Sequence, residues 1–160
     1  MAVIGWGKCR ILFKNLSGGA WTETPTPVES STTLTTTKGD KKEAKLEGGA
    51  NEDVRYNKNT YALEFTIRQA KGKTMPIAHE DGLVSGNYAV AVVPEDPEVP
   101  GLMIDKAVVS VEDSFSTDEG GTVKYTFDAL QPTSGSQVKT GVVTVTESGG
   151  TISSVTIAEG

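Results

Sequence analysis

Few residues in this chain could do covalent chemistry. His79 is the only histidine, so a histidine-built metal cluster is excluded, and any Ser-His-Asp relay would have to run through this one ring. No Gly-x-Ser-x-Gly elbow accompanies it, and His79-Glu80-Asp81 reads as a solvated turn. Glu95-Asp96-Pro97-Glu98 and Asp118-Glu119 offer carboxylate oxygens of the kind a hard cation takes, but neither matches an EF-hand loop. Both read as exposed acidic turns. Lys38-Gly39-Asp40-Lys41-Lys42 holds one glycine and lacks a Gly-Lys-Ser/Thr ending, so it is not a phosphate loop. A pair of carboxylates can be drawn at will from 21 acidic residues, which makes a glycosidase signal empty. Cys9 has no second cysteine to pair with. It alternates with Ile11 and Phe13, as a buried core thiol does. The expectation is a protein that is not an enzyme, with no catalytic residues, no metal and no cofactor.

The elements that would hold such residues are strands. Thr60 to Gln69 alternates without a break, with Tyr61, Leu63, Phe65 and Ile67 on one side and Ala62, Glu64, Thr66 and Arg68 on the other. A period of two with β-branched and aromatic residues specifies a half-buried strand. Gly7 to Phe13 reads as a first strand, with Cys9, Ile11 and Phe13 inward and Leu12 outward. Asn15 to Val28 reads as an irregular loop, with Trp21 folding back as an anchor. Thr32 to Thr37 is a threonine-rich strand, followed by a turn at Lys38–Lys41. Over Lys42–Glu47 a weak capping signal competes with alternation, and a helix this short is marginal, so a strand is expected. Asn51 to Asn59 reads as a connection. Ala70 to Gly86 is a long excursion with room for one helical turn near Ile77–Glu80. Asn87 to Val93 is apolar on both faces, hence central. Asp105–Asp113, with Ala107, Val109 and Val111 on one face, and Thr122–Leu130, with Val123, Tyr125 and Phe127 inward, form a hairpin about Asp118–Gly121. Lys139–Glu147 and Thr151–Ile157 form a last hairpin about Ser148–Gly150. The sum is an all-β domain spanning 1–160, a sandwich or barrel of about eight to ten mostly antiparallel strands with at most one short helix.

The formal net charge of −6 argues against a tight grip on nucleic acid but not against a surface that nucleic acid slides past. No apolar run reaches the length of a membrane span. The opening Met1–Lys8 lacks a charged leader and a long apolar core, so no signal peptide is expected in the sequence as written.

Two stretches carry a family likeness. Thr35 to Gly49 followed by Asn59 to Arg68 resembles the major tail tube proteins of long-tailed bacteriophages. Ile104 to Asp113 followed by Tyr125 to Pro132 does the same, and the likeness is nearest to tube-like proteins of Bacteroidales prophages. It runs from about Gly5 to Val145 and carries no catalytic motif. The resemblance implies a β-sandwich or barrel protomer in hexameric rings, stacked into a hollow tube that conducts DNA without binding it specifically. It implies kinship with the tube of contractile secretion systems, and partners that are further copies of the chain and other tail proteins, with no membrane. The place it implies is the virion tail, after synthesis in the bacterial host cytoplasm. The family packs a helix beside the sandwich, which Pro76–Glu80 or Val99–Ile104 would have to supply.

A ring needs exposed strand edges that meet neighbours. The two excursions, Thr37–Gly49 and Ala70–Gly86, carry charges of mixed sign and flexible glycines, and are longer than their connections require. Lys38, Gly39, Asp40, Lys41, Lys42, Lys71, Lys73, Glu80 and Asp81 are therefore the expected subunit-interface residues. The alternative is a β-sandwich binding module of a surface or secreted protein that recognises glycan or protein.

Overall fold

The computed structural model describes Ile4 and residues 7–159. Gly5, where the resemblance begins, lies outside them. The chain is all-β and antiparallel, and eleven strands are present among the described residues. They are β1 (Arg10–Asn15), β2 (Thr22–Glu23), β3 (Thr33–Thr37), β4 (Lys41–Lys45), β5 (Asn51–Tyr56) and β6 (Thr60–Arg68), then β7 (Tyr88–Val93), β8 (Gly101–Ser116), β9 (Gly120–Ala129), β10 (Val138–Ser148) and β11 (Thr151–Glu159). Nine form one sheet in the order β2-β1-β7-β8-β9-β6-β3, with β10 joined to β8 and β11 to β10. The remaining two, β4 and β5, make a sheet of their own.

The long sheet folds over itself because β7 is apolar on both faces. Val90 looks into a cluster with Ile11, Phe13, Leu63, Phe65, Ile67, Val109, Tyr125 and Phe127. Ala91 and Val93 look the other way, into a second cluster with Leu12, Val143, Ile152 and Val155. The β1–β7 pair is thus a middle layer, with β6, β8 and β9 supplying one cluster and the β10–β11 hairpin the other. Leu12, expected outward, is fully buried because that hairpin covers its face. Trp21 packs against the same cluster, as its loop position suggests.

A bulge on β8 makes the fold-over possible. Tyr88 pairs with Ala107 and Val90 with Ile104, so β8 spends one residue more than β7 across that gap. Ile104 and Ala107 therefore share the core face despite a spacing of three. At this point β8 also changes partner. Gly101–Ile104 pair with β10 and Ala107–Ser116 with β9.

Four expectations need correction. Asn51–Asn59 is no plain connection, since its first six residues are β5. Asn15–Val28 contains the short strand β2, which pairs with β1. Neither Pro76–Glu80 nor Val99–Ile104 is helical, and no helix occurs among the described residues. The first is held in extended and turn geometry over the core by Ile77, and the second enters β8 at Gly101. The first strand starts at Arg10 rather than Gly7.

Candidate functional site

The chain from Asp40 to Lys58 leaves the body as a two-stranded arm, and every one of its residues is exposed. Sequence explains why it forms a hairpin and why its two strands do not join the core. Lys41 pairs with Tyr56, Glu43 with Val54 and Ala44 with Asp53, about a turn that carries Gly48 and Gly49 at positive φ. Neither face is apolar enough to join the core. One carries Glu43 between Lys41 and Lys45, with Nζ–O distances of 2.6 and 3.5 Å. The other carries Arg55 on Asp53 at 3.1 Å. The Glu43 hydrogen bond raises the Lys41 ammonium above its ordinary pKa, and the Lys41 hydrogen bond lowers the Glu43 carboxyl. Leu46, Val54 and Tyr56 are left as exposed apolar groups. A lone two-stranded hairpin is at best marginally stable in water.

The root of the arm is fixed more firmly than its length. A Cβ on Gly39 would sit 1.9 Å from the Asn57 carbonyl oxygen, so only glycine lets the two entering chains come this close. The Gly39 N–H donates to Asn59 Oδ1 at 3.0 Å, and the Asn57 N–H donates to the Asp40 carbonyl at 2.9 Å. Lys38 Nζ lies 4.9 Å from the centre of the Tyr56 ring, in cation–π range.

The expected interface residues fall into two groups, not one. Lys38, Gly39, Asp40, Lys41 and Lys42 are the root and first strand of the arm. Lys71, Lys73, Glu80 and Asp81 lie on the 70–86 excursion, which starts just past Arg68 at the far end of β6. That second excursion is no free loop. Ile77 is in the core, with Met75 and Val84 packed against it. The Lys73 ammonium donates to the Arg68 carbonyl at 2.8 Å. His79 is not a solvated side chain: its Nδ1 accepts the Gly82 N–H at 3.0 Å, and its Nε2 faces Asp113 Oδ2 at 3.1 Å. Asp81 takes a φ of 52° to close that turn. Glu80 and Asp81 themselves are exposed.

Sequence reasoning missed β5, with Arg55 and Tyr56, and two apolar side chains at the far end, Leu83 and Phe115, each 78% exposed. The Gly48-Gly49 pair between two short polar runs was the signal for β5. Nothing in the pattern distinguishes Phe115 from a core phenylalanine.

Away from these surfaces, a cavity of about 680 Å³ opens beside Cys9, Val28, Leu34, Leu63, Val92 and Leu102. No aromatic side chain lines it among the described residues. Cys9 is half-buried and packs against the first cluster. No group of three or more His, Cys, Asp or Glu is placed to hold a metal ion among the described residues. No helix there is long and apolar enough to cross a membrane. Compared with known proteins, the chain matches no family model and no curated protein.

Proposed function

We propose that the protein is a structural subunit that self-associates into rings, hexameric by the family resemblance, stacked into a hollow tail tube through which DNA passes without specific binding. The observation that carries this reading is the arm. From Asp40 to Lys58 the chain builds a hairpin whose residues are all exposed and which touches the body only at its base, where the Lys58 ammonium donates to Gln131 Oε1 at 3.0 Å, on a root that tolerates only glycine at position 39. Such a segment gains its burial on another molecule. The formal charge of −6 suits a conduit wall that repels phosphate mildly. In this reading the protein is not an enzyme, needs no cofactor, and works in the virion tail with other tail proteins as neighbours.

Negative-stain electron microscopy of the purified protein over a concentration series tests it. Rings or tubes are the expected outcome. Monomers at every concentration, together with binding to a glycan array, would overturn it in favour of the binding-module alternative.

A further inference from the structure

We propose that the free edge of β8 is the docking site for the arm of a second copy, the outer edge of β4 adding to Asp113–Phe115 as an extra strand; this rests on the self-assembly reading above. The acceptor edge follows from the registers. β8 runs to Ser116, but β7 covers this side of it only as far as Ala107. The 70–86 excursion extends the cover a little. Leu83 bridges Ser110, and the Gly82 carbonyl accepts the Val111 N–H at 3.1 Å. Beyond Val111 no strand lies on that side among the described residues. Backbone groups alternate in direction along a strand. The Val111 N–H points to this edge, so the N–H and C=O of Asp113 and Phe115 point there too. A bare edge of this kind is a template for strand addition.

Its surroundings select the partner. Phe115 and Leu83, the two most exposed large apolar side chains among the described residues, flank the bare edge. From Glu112 to Glu119 there are four carboxylates, Glu112, Asp113, Asp118 and Glu119, and no basic residue. Among the described residues no lysine or arginine is paired with any of these four carboxylates: Lys124 pairs with Glu64, Arg68 donates to the Glu119 carbonyl and Lys73 to the Arg68 carbonyl. The incoming strand should therefore bring positive charge. Of the free edges among the described strands, β3 has no charged residue, β2 and β11 have no basic one, and β5 carries Glu52 and Asp53 against Arg55 alone. β4 carries Lys41, Lys42 and Lys45 against Glu43, and its outer edge is unpaired. Charge complementarity thus singles out β4.

Donor and acceptor sit at opposite ends of the molecule. The arm leaves at Thr60, while Arg68 at the other end of β6 pairs with Thr122, which pairs with Ser114. At about 3.3 Å per residue, β6 separates them by roughly 26 Å. A contact between different patches is heterologous; repeated head to tail it closes into a ring or runs on as a filament according to its rotation, and a donor and an acceptor at opposite ends suit copies added end to end. That is the geometry of stacking.

The test uses Ala44→Cys and Ser114→Cys, each in a Cys9→Ala background. Both positions are exposed and lie within the two strands proposed to meet. The two variants are mixed under assembly conditions and treated with a short flexible bis-maleimide, whose reach tolerates either register. The expected product is a dimer joining position 44 to position 114, mapped by peptide mass spectrometry, from the mixture and from neither variant alone. Assemblies visible by microscopy with no such link would overturn the proposed contact and leave self-assembly standing. Linkage of position 44 to itself would overturn it in favour of arm–arm pairing. Absence of any assembly by the wild-type chain would overturn both readings together.

Discussion

Alkaline pH should weaken this fold through one phenol. Tyr125 is fully buried, its ring stacked 5.5 Å from that of Phe65, and its hydroxyl has no hydrogen-bond partner of ordinary geometry. Burial pushes the phenol up from 10.0 to about 12; the Ile77 backbone opposes the rise and the Asp113 carboxylate adds to it. In the unfolded chain the proton leaves first. Between the two values the unfolded state binds fewer protons than the native state, so stability falls as pH rises. The contribution is fully present below pH 10 and is lost as pH climbs through 12. A gap of two units corresponds to about 2–3 kcal/mol at 1.36 per unit, of which about 2 is gone by roughly pH 11.5.

Tyr125→Phe removes that titrating group and keeps the ring in place. At neutral pH it also removes a buried hydroxyl whose one polar neighbour, the Ile77 backbone, is poorly aligned with it, and a buried hydroxyl left unsatisfied costs about 1–3 kcal/mol. The variant should therefore be as stable as the parent, or more so. Urea unfolding midpoints for both proteins at steps from neutral to about pH 11.5 read the difference, because lysines and the other tyrosines titrate alike in each. The curves should diverge above pH 10, the parent falling faster. Parallel curves would refute the reasoning and show that the hydroxyl is solvated or well bonded in the native protein.

Phe65 is wholly buried between Tyr125 and Phe127, so Phe65→Ala should cost about 3–5 kcal/mol by denaturant melt, and Phe65→Asp should yield no cooperative transition. Gly39→Ala forces a carbon to within 1.9 Å of the Asn57 carbonyl. It should abolish tubes in micrographs while shifting the melting temperature by only a degree or two, since the arm adds nothing to the core. Chelator treatment should leave the melting temperature unchanged; a fall of many degrees would point to a cation at Glu95–Glu98. Replacing Lys41–Tyr56 by a short glycine linker should give a folded protein by circular dichroism that builds no tubes. Deleting Lys73–Asp81 should instead destabilise the protomer by roughly 2–5 kcal/mol, because it strips Ile77 from the core.

Much of this architecture is written in alternation. Leu63, Phe65 and Ile67 on β6, and Val123, Tyr125 and Phe127 on β9, declare a buried face by a period of two, and each is buried. The doubly apolar Tyr88–Val93 declares a middle strand, because a strand wet on one side cannot hold Val90 and Ala91 on opposite faces. What escapes is set by distant partners. Leu12 reads as outward until β10 and β11 arrive more than a hundred residues later to cover it. The bulge between Ile104 and Ala107 is invisible because nothing local demands it; it follows from β8 serving β10 with one half and β9 with the other. Phe115 shares the parity of Val109 and Val111, yet it lies past the end of the core and is exposed. β5 reads as Asn-Glu-Asp-Val-Arg-Tyr, a polar run that satisfies no burial pattern, since an arm whose strands do not join the core has no core face to record.

The two excursions singled out by length and charge therefore differ in kind. The 70–86 segment is held by the body: Ile77 fills the core beside Tyr125, and Gly82 and Leu83 extend the cover of β8. Its charges, Lys71, Lys73, Glu80 and Asp81, ride on a structural lid, and any contact they make with a neighbour is secondary to that seat. The arm is the converse. Its ion pairs are solvent-screened and its strands are short, so little beyond the root holds it in shape. Ordering it costs conformational entropy that no burial within the protomer offsets. A second molecule can offset it by covering Leu46, Val54 and Tyr56 and by neutralising the lysines of β4. In the proposed assembly this asymmetry, a well-seated lid beside a bare strand edge at one end and an unsupported arm at the other, would favour head-to-tail growth over a symmetric dimer. The positive excess of β4 and the carboxylates of Glu112–Glu119 lie on different patches, so a two-fold pair would have to exchange both arms reciprocally, each strained to span the length of β6.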